Sequence, residues 1–330
     1  MFRNSRARSS REEVPGDIGA KCTVCQMGAP ADELLRLLDL ETIELDIFRG
    51  VSIDEGRLRV FGGQVAAQAL VAAGRTVDRG RVHSLHSYFL RPGDPHRPIV
   101  YEVDRIRDGR SFTTRRVVAV QRGEAIFNLQ CSFHLEEAGL VHQDLAPAAP
   151  RPELIDPPGR PASDSGVTPR GYPEPHGLEV RFVTELPWNR NGELHDRELL
   201  WLRAGGPLGD DPIVHAAVVA FASDLTLVDS ILQRHGISPG HPGVAGASLD
   251  HCMWFHRPLR ADDWLLYDHR SPVASGARGL AQGVLYDTAG NHVVSVVQEG
   301  LVRLRSGVAF DSSGSAGSPV VGGPPGPAGS

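Results

Sequence analysis

Lysine is nearly missing from this chain. Of 330 residues only Lys21 is one, and every other strongly basic residue is arginine. A lysine Schiff base in any folded body beyond it is therefore excluded, as is a P-loop, whose Gly-Lys-Ser/Thr step needs lysine. Long apolar runs are also missing, and none approaches the roughly 18 residues of a membrane span. Cysteine is scarce: four in a chain of this length make no disulfide framework and point to a reducing, cytoplasmic compartment. Positive charge is not in excess, and a formal net charge of −6 speaks against a nucleic-acid or anionic-membrane partner. The dinucleotide fingerprint GxGxxG and the nucleophile elbow GxSxG do not occur. What is present is a 41% hydrophobic composition, enough for the cores of about two ordinary domains.

Residues 1–30 carry Arg, Ser and Gly without hydrophobic periodicity and lack a secretory apolar region. They are expected to form a disordered extension, with Met27 as an alternative start. Cys22 and Cys25 form a CxxC there, with no second ligand pair to make a zinc site, so the pair reads as incidental. Nine prolines between Pro147 and Pro175 exclude a helix or an inner strand and predict an extended linker over residues 138–177. From about Gly307 the chain is Gly, Ser and Pro, expected to be a disordered tail. Two folded units remain, residues 31–137 and 178–306.

The units repeat each other. Phe89-Leu-Arg-Pro92 returns as Phe255-His-Arg-Pro258 at an offset of 166, which also places Tyr101 on Tyr267 and Val118 on Val284. Each unit has an Ala-rich helix, Gln64–Ala73 or Ile213–Ala222, followed by β-branched and aromatic strands split at Arg122-Gly123 and Ala289-Gly290. The second helix is apolar all round, the mark of full burial. An antiparallel sheet wrapped around one central helix, twice over, is the expected α+β architecture.

Three polar residues of the second unit occupy positions a core would fill with apolar ones: Asp224 after the buried run Ala216–Ser223, Gln298 within a strand Val293–Leu301, and Ser248 opening a strand Ser248–Arg257. The first unit offers Gly74, Val82 and Ser132 instead. Each has a plain structural reading. Asp224 reads equally well as the N-cap of a helix Leu225–Arg234. Gln298 reads as satisfying a backbone group, and Ser248 as a loop residue. His83 and His86, and His251 and His256, are separated by odd steps, which on a strand puts each pair on opposite faces and disfavours a metal.

With these residues in hand, the chain resembles the acyl-CoA thioesterase II family, which includes the peroxisomal long-chain acyl-CoA thioesterases. The resemblance is carried by Val60-Phe-Gly-Gly-Gln-Val65 and His83-Ser-Leu-His-Ser-Tyr-Phe-Leu-Arg-Pro-Gly-Asp94 in the first unit. In the second it is carried by Ala222-Ser-Asp-Leu225, Asp250-His-Cys-Met-Trp-Phe-His-Arg-Pro258 and Val297-Gln-Glu-Gly300. It covers roughly residues 32–305 and implies a double hotdog fold, hydrolysis of fatty acyl-CoA and no cofactor or metal. It also implies a hydrolytic set of Asp224, Ser248 (where bacterial relatives usually have Thr) and Gln298, with Gly62 and Gly63 beside the site. Asp224 would activate water, Gln298 and Ser248 would aim it, and a backbone N–H near a helix start would receive the oxyanion. Two other readings stay open: a hotdog hydratase or dehydratase of acyl-CoA double bonds, and a non-catalytic acyl-CoA-binding module. An exposed sheet edge or face is expected to support a homo-oligomer.

Overall fold

The computed structural model describes residues 31–52, 58–157, 176–187 and 194–305. The readings made for residues 1–30, for the tail after residue 305 and for much of the proline-rich segment lie outside these.

The chain begins with α1 (Ala31–Leu38), whose Leu34, Leu37 and Leu38 share one buried face, and the short strands β1 (Glu41–Glu44) and β2 (Ile47–Gly50). The first central helix, α2 (Gly62–Gly74), is followed by β3 (Arg81–Phe89), β4 (Ile99–Asp108), β5 (Phe112–Gln121) and β6 (Glu124–His134). The second unit contains β7 (Leu178–Phe182), β8 (Glu198–Ala204), α3 (Pro212–Ser223) and the short α4 (Asp229–Gln233). It ends in β9 (Val244–Ser248), β10 (Asp250–Phe255), β11 (Leu265–Ser275), β12 (Arg278–Tyr286) and β13 (His292–Leu304).

Among the described residues all strands belong to one antiparallel sheet, ordered β1-β2-β4-β5-β6-β3-β10-β13-β12-β11-β8-β7, with β9 pairing β13. The units join at its centre. There β3 pairs β10 from Tyr88↔Asp250 to Ser84↔Trp254, and Ser87 Oγ donates to His251 O at 2.8 Å. Period-two alternation supplies the inner face: Leu85, Val117, Ala119, Phe127 and Leu129, and Met253, Ala281, Leu285, Val294 and Val296, join the buried residues of α2 and α3 in one core. Each such Leu, Val, Phe or Met side chain is worth about 1.5–3 kcal/mol of burial. The hairpin at Arg122-Gly123 turns with both φ positive, 53° and 77°, the geometry that matches strand twist.

The two central helices run antiparallel against each other. At one end Gly74 of α2 lies against Ile213 of α3; at the other Gly63 lies against Phe221 and Gly62 against Asp224. Glycine is required at that second end. A Cβ on Gly63 would come within 2.6 Å of Phe221 O, and one on Gly62 within 2.8 Å of Asp224 Oδ2. The polar α2 side chains Gln64 and Gln68 are buried but satisfied: Gln68 donates to Leu37 O and accepts from Tyr101 Oη at 2.6 Å, and Gln64 donates to Ser52 Oγ.

Three expectations change. The helix read as Leu225–Arg234 is a turn over residues 224–228 followed by α4, so Asp224 is no N-cap; it is the residue that ends α3, at φ −84° and ψ −6°. Ser248 does not open a strand running to Arg257. It closes β9, and the chain breaks at Leu249 before β10, so one segment pairs β13 at two separate places. The proline-rich segment, where described, is not a bare tether. Ala146, Ala149 and Ile155 pack on Leu199, Trp201 and Leu266 on the outer face of the second unit, and Pro150 O accepts from Trp201 Nε1 at 2.9 Å.

Candidate active site at the meeting of two helix ends

Asp224, Ser248 and Gln298 come from three separate elements and converge. Asp224 is held where α3 stops, the next backbone N–H, that of Leu225, donating to Ala222 O at 3.2 Å. Gln298 points inward from β13, on the face it shares with Val294 and Val296, and is fully buried. Ser248 arrives from the end of β9, the strand that crosses β13 at Gly300. Gln298 Nε2 donates to Asp224 Oδ1 at 2.5 Å, and Ser248 Oγ donates to the same oxygen at 3.2 Å. The first unit supplies the third donor: the backbone N–H of Gly63, in the first turn of α2, hydrogen-bonds the carboxylate. The first unit therefore takes part in the site through backbone alone, at a helix start whose N–H groups have no intrahelical acceptor.

Opposing influences act on the carboxylate. It lies at the C-terminal end of α3, which disfavours negative charge, and at the N-terminal end of α2, which favours it. Burial dominates, raising the Asp224 carboxyl from 3.8 to about 6 against the pull of Gln298, Ser248 and Gly63 in that order. An aspartate so tuned ionises near neutrality and still binds a proton readily, as a general base must. Its two oxygens differ. Oδ1 is engaged by Gln298 and Ser248, whereas Oδ2 faces Gly62. Phe89 also closes on Gly62, while Phe61 meets Phe221 edge-on at 5.1 Å, so the surroundings are aromatic and apolar.

Beneath this group lies a residue weighed from sequence only as half of a metal pair. His251 on β10 is fully buried, its Nε2 2.8 Å from Ser223 Oγ, and burial lowers its pKa to about 4. A signal was available for His251: it shares the inward phase of Met253, where a polar side chain needs a partner. The other end of the helix pair is built differently. Gly74 and Val82 bring no polar side chain, and Arg75 is committed to Leu40 O and Asp39.

Comparison with known proteins bears on the family of the chain as a whole. The family described as "Acyl-CoA thioesterase" matches residues 179–301, and "Acyl-CoA thioesterase N-terminal domain" matches residues 52–134. Acyl-coenzyme A thioesterase 8 of Homo sapiens is 38% identical over 287 residues, spanning 82% of this chain and 88% of the relative. The chain belongs to the acyl-CoA thioesterase family. Acyl-CoA thioesterase 2 of Haemophilus influenzae is 36% identical, spanning 82% of this chain and 97% of that protein. Among solved structures, acyl-CoA thioesterase II TesB2 of Mycobacterium marinum is 43% identical with a TM-score of 0.68, over 83% of this chain and 99% of that one. A hot dog fold protein of Alicyclobacillus acidocaldarius shares only 20% identity at the same TM-score, which bears on the fold alone, and the fold of this family member is a double hotdog.

Proposed function

We propose that this acyl-CoA thioesterase hydrolyses fatty acyl-CoA with a water molecule held by Asp224, Ser248 and Gln298. The observation that carries the reading is the asymmetry of the carboxylate, with Oδ1 fixed by two side-chain donors and Oδ2 facing the side-chain-free position of Gly62. Water bound at Oδ2 gives its proton to Asp224 as its oxygen attacks the thioester carbon. The carbonyl oxygen gains the negative charge and is received by first-turn N–H groups of α2. Collapse expels the CoA thiolate, which takes the proton back from Asp224, leaving fatty acid, CoA and an ionised aspartate. Ser248 and Gln298 supply orientation, the entropic part of the catalysis. In this reading residues 178–306 carry the reacting side chains, and residues 31–137 supply the α2 start and the Phe89 wall.

The outer face of β3 and β10 exposes Tyr88 and stacks His86 edge-on to Trp254 at 5.2 Å, which supports a homo-oligomer through that face. No described helix is long and apolar enough to cross a membrane. The free thiols of Cys131 and Cys252 fit a cytoplasmic setting.

The test is to incubate pure protein with a fatty acyl-CoA and a thiol reagent. Release of free CoA in stoichiometry with fatty acid is expected. A change in enoyl-CoA absorbance without CoA release would make the protein a hydratase, and tight binding without either would make it a binding module.

A further inference from the structure

The amide of Gln298 has two ends, and only one is accounted for by Asp224. The carboxylate requires the NH2 end, at 2.5 Å from Oδ1. Flipped by half a turn, the same side chain would aim Oε1 at a carboxylate oxygen, and the hydrogen bond would become a repulsion. Something must therefore hold the other end. The pairing Cys252↔Val297 puts His251 directly across from Gln298, on neighbouring strands with both side chains facing inward. Gln298 Oε1 and His251 Nδ1 are both enclosed, and among the described residues neither meets a hydrogen-bond partner, so each is left to seek one in its immediate surroundings. The two side chains interact, since the Gln298 side chain favours protonation of the ring, as an acceptor oxygen beside a ring N–H does.

We infer that His251 is a positioning residue, its Nδ1–H directed at Gln298 Oε1 so that the amide is locked with its NH2 toward Asp224, and that Ser223 selects the tautomer that makes this possible. The inference rests on the hydrolytic reading of Asp224 and Gln298 above. Ser223 Oγ lies 2.8 Å from His251 Nε2 and 3.1 Å from Ala220 O. A hydroxyl has one proton. Donated to Nε2, it leaves the neutral ring protonated at Nδ1, as Gln298 Oε1 needs. Donated to Ala220 O, it leaves Nε2 to carry the ring proton, and the bare Nδ1 then faces Oε1 and drives the amide to flip. Tautomer and amide orientation are thus two faces of one state. Because Ser223 precedes Asp224 in the chain, the contacts close a ring: Asp224, Gln298, His251, Ser223 and back through one peptide bond. Full burial keeps the ring neutral above about pH 4, so the lock persists through the working range of a base that titrates near 6. The role differs from catalysis proper, since His251 touches neither water nor thioester.

The experiment has two arms on the full chain. Nitrogen-detected spectra of histidine-labelled wild-type protein, with His251 assigned by its loss in H251N, read the tautomer directly and do not depend on any variant's activity. Protonation at Nδ1 is expected, and protonation at Nε2 overturns the inference. Kinetically, H251L is expected to lower kcat by about 10²-fold with KM within about twofold, the cost of a misplaced group. H251N puts an amide N–H where Nδ1–H stood and is expected to recover kcat to within about tenfold of wild type. In a Q298L background, which has no amide to hold, H251L is expected to lower kcat no further. Wild-type turnover in H251L, or equal losses in H251L and H251N, overturns the positioning role. Either result beside an inactive D224N leaves the hydrolytic reading standing, whereas an active D224N removes that reading itself.

Discussion

Replacing Asp224 by Asn should make the protein more stable and nearly inactive. In the folded chain the carboxyl protonates near 6 instead of 3.8, chiefly because it is buried. A group whose folded pKa is raised contributes stability that is complete below the unfolded value and is lost as pH climbs through the folded one. At pH 7–8 the ionised Asp224 therefore costs the fold about 3 kcal/mol, at ~1.4 kcal/mol per pH unit. Asparagine carries no charge to desolvate and still offers Oδ1 to Gln298 and Ser248. Its NH2 cannot accept from a backbone N–H, and losing the Gly63 hydrogen bond returns about 1 kcal/mol. The net gain is about 2 kcal/mol, or roughly 4–8 °C in Tm for a body of this size. The gain should shrink as pH falls from 7 and vanish by about pH 4–5, where wild-type Asp224 is itself protonated. Turnover should fall by about 10²–10⁴-fold, the usual worth of a positioned base. Thermal melts of both proteins between pH 4 and 8, with CoA release measured in parallel, provide the check. Equal or lower stability of the variant at pH 8, with no change in pH dependence, would refute the argument from burial. Wild-type turnover would refute the assignment of the base.

Four further outcomes follow from the same geometry. The pH dependence of kcat/KM in wild type should rise about tenfold per pH unit below about 6 and level off above it, as ionised Asp224 becomes the resting form; a profile flat from pH 5 to 8 would contradict this. Gly62→Ala should cut turnover at least tenfold, because the new Cβ would lie 2.8 Å from both Asp224 Oδ2 and Phe89 Cε1, and steady-state assays measure it. Gly63→Ala should act mainly on the fold, costing about 1–3 kcal/mol in denaturant titration, since its Cβ meets the Phe221 backbone oxygen at 2.6 Å. Ser248→Thr should retain most activity by keeping the hydroxyl, while Ser248→Ala should lower kcat; equal activities would remove Ser248 from the water-binding set.

Much of the site was legible because two of its residues break a local rule. Asp224 follows an apolar helix and Gln298 interrupts an apolar strand face, and neither position is explained by packing. What sequence could not give was convergence. The Gly63 N–H reaches Asp224 across 161 positions only because α2 and α3 run antiparallel with close contact at glycine, a tertiary fact. The β9–β10 break at Leu249 was missed because both segments have strand composition, and the interruption comes from β13 and β3 competing for the same stretch. The docked proline-rich segment did leave a trace. Glu198-Leu-Leu-Trp-Leu202 is buried on both faces of its strand, which a sheet with one solvated face would not need. His251 was legible in phase but not in purpose, since its meaning depends on which side chain stands across from it.

The most direct measurement of the central claim is a single turnover, with enzyme in excess of fatty acyl-CoA, in oxygen-18 water. If Asp224 acts as a base on bound water, the first fatty acid released carries one labelled oxygen and the protein carries none. An unlabelled first product, with the label recovered in the Asp224 carboxylate, would show that the aspartate attacks the thioester itself and would contradict the account.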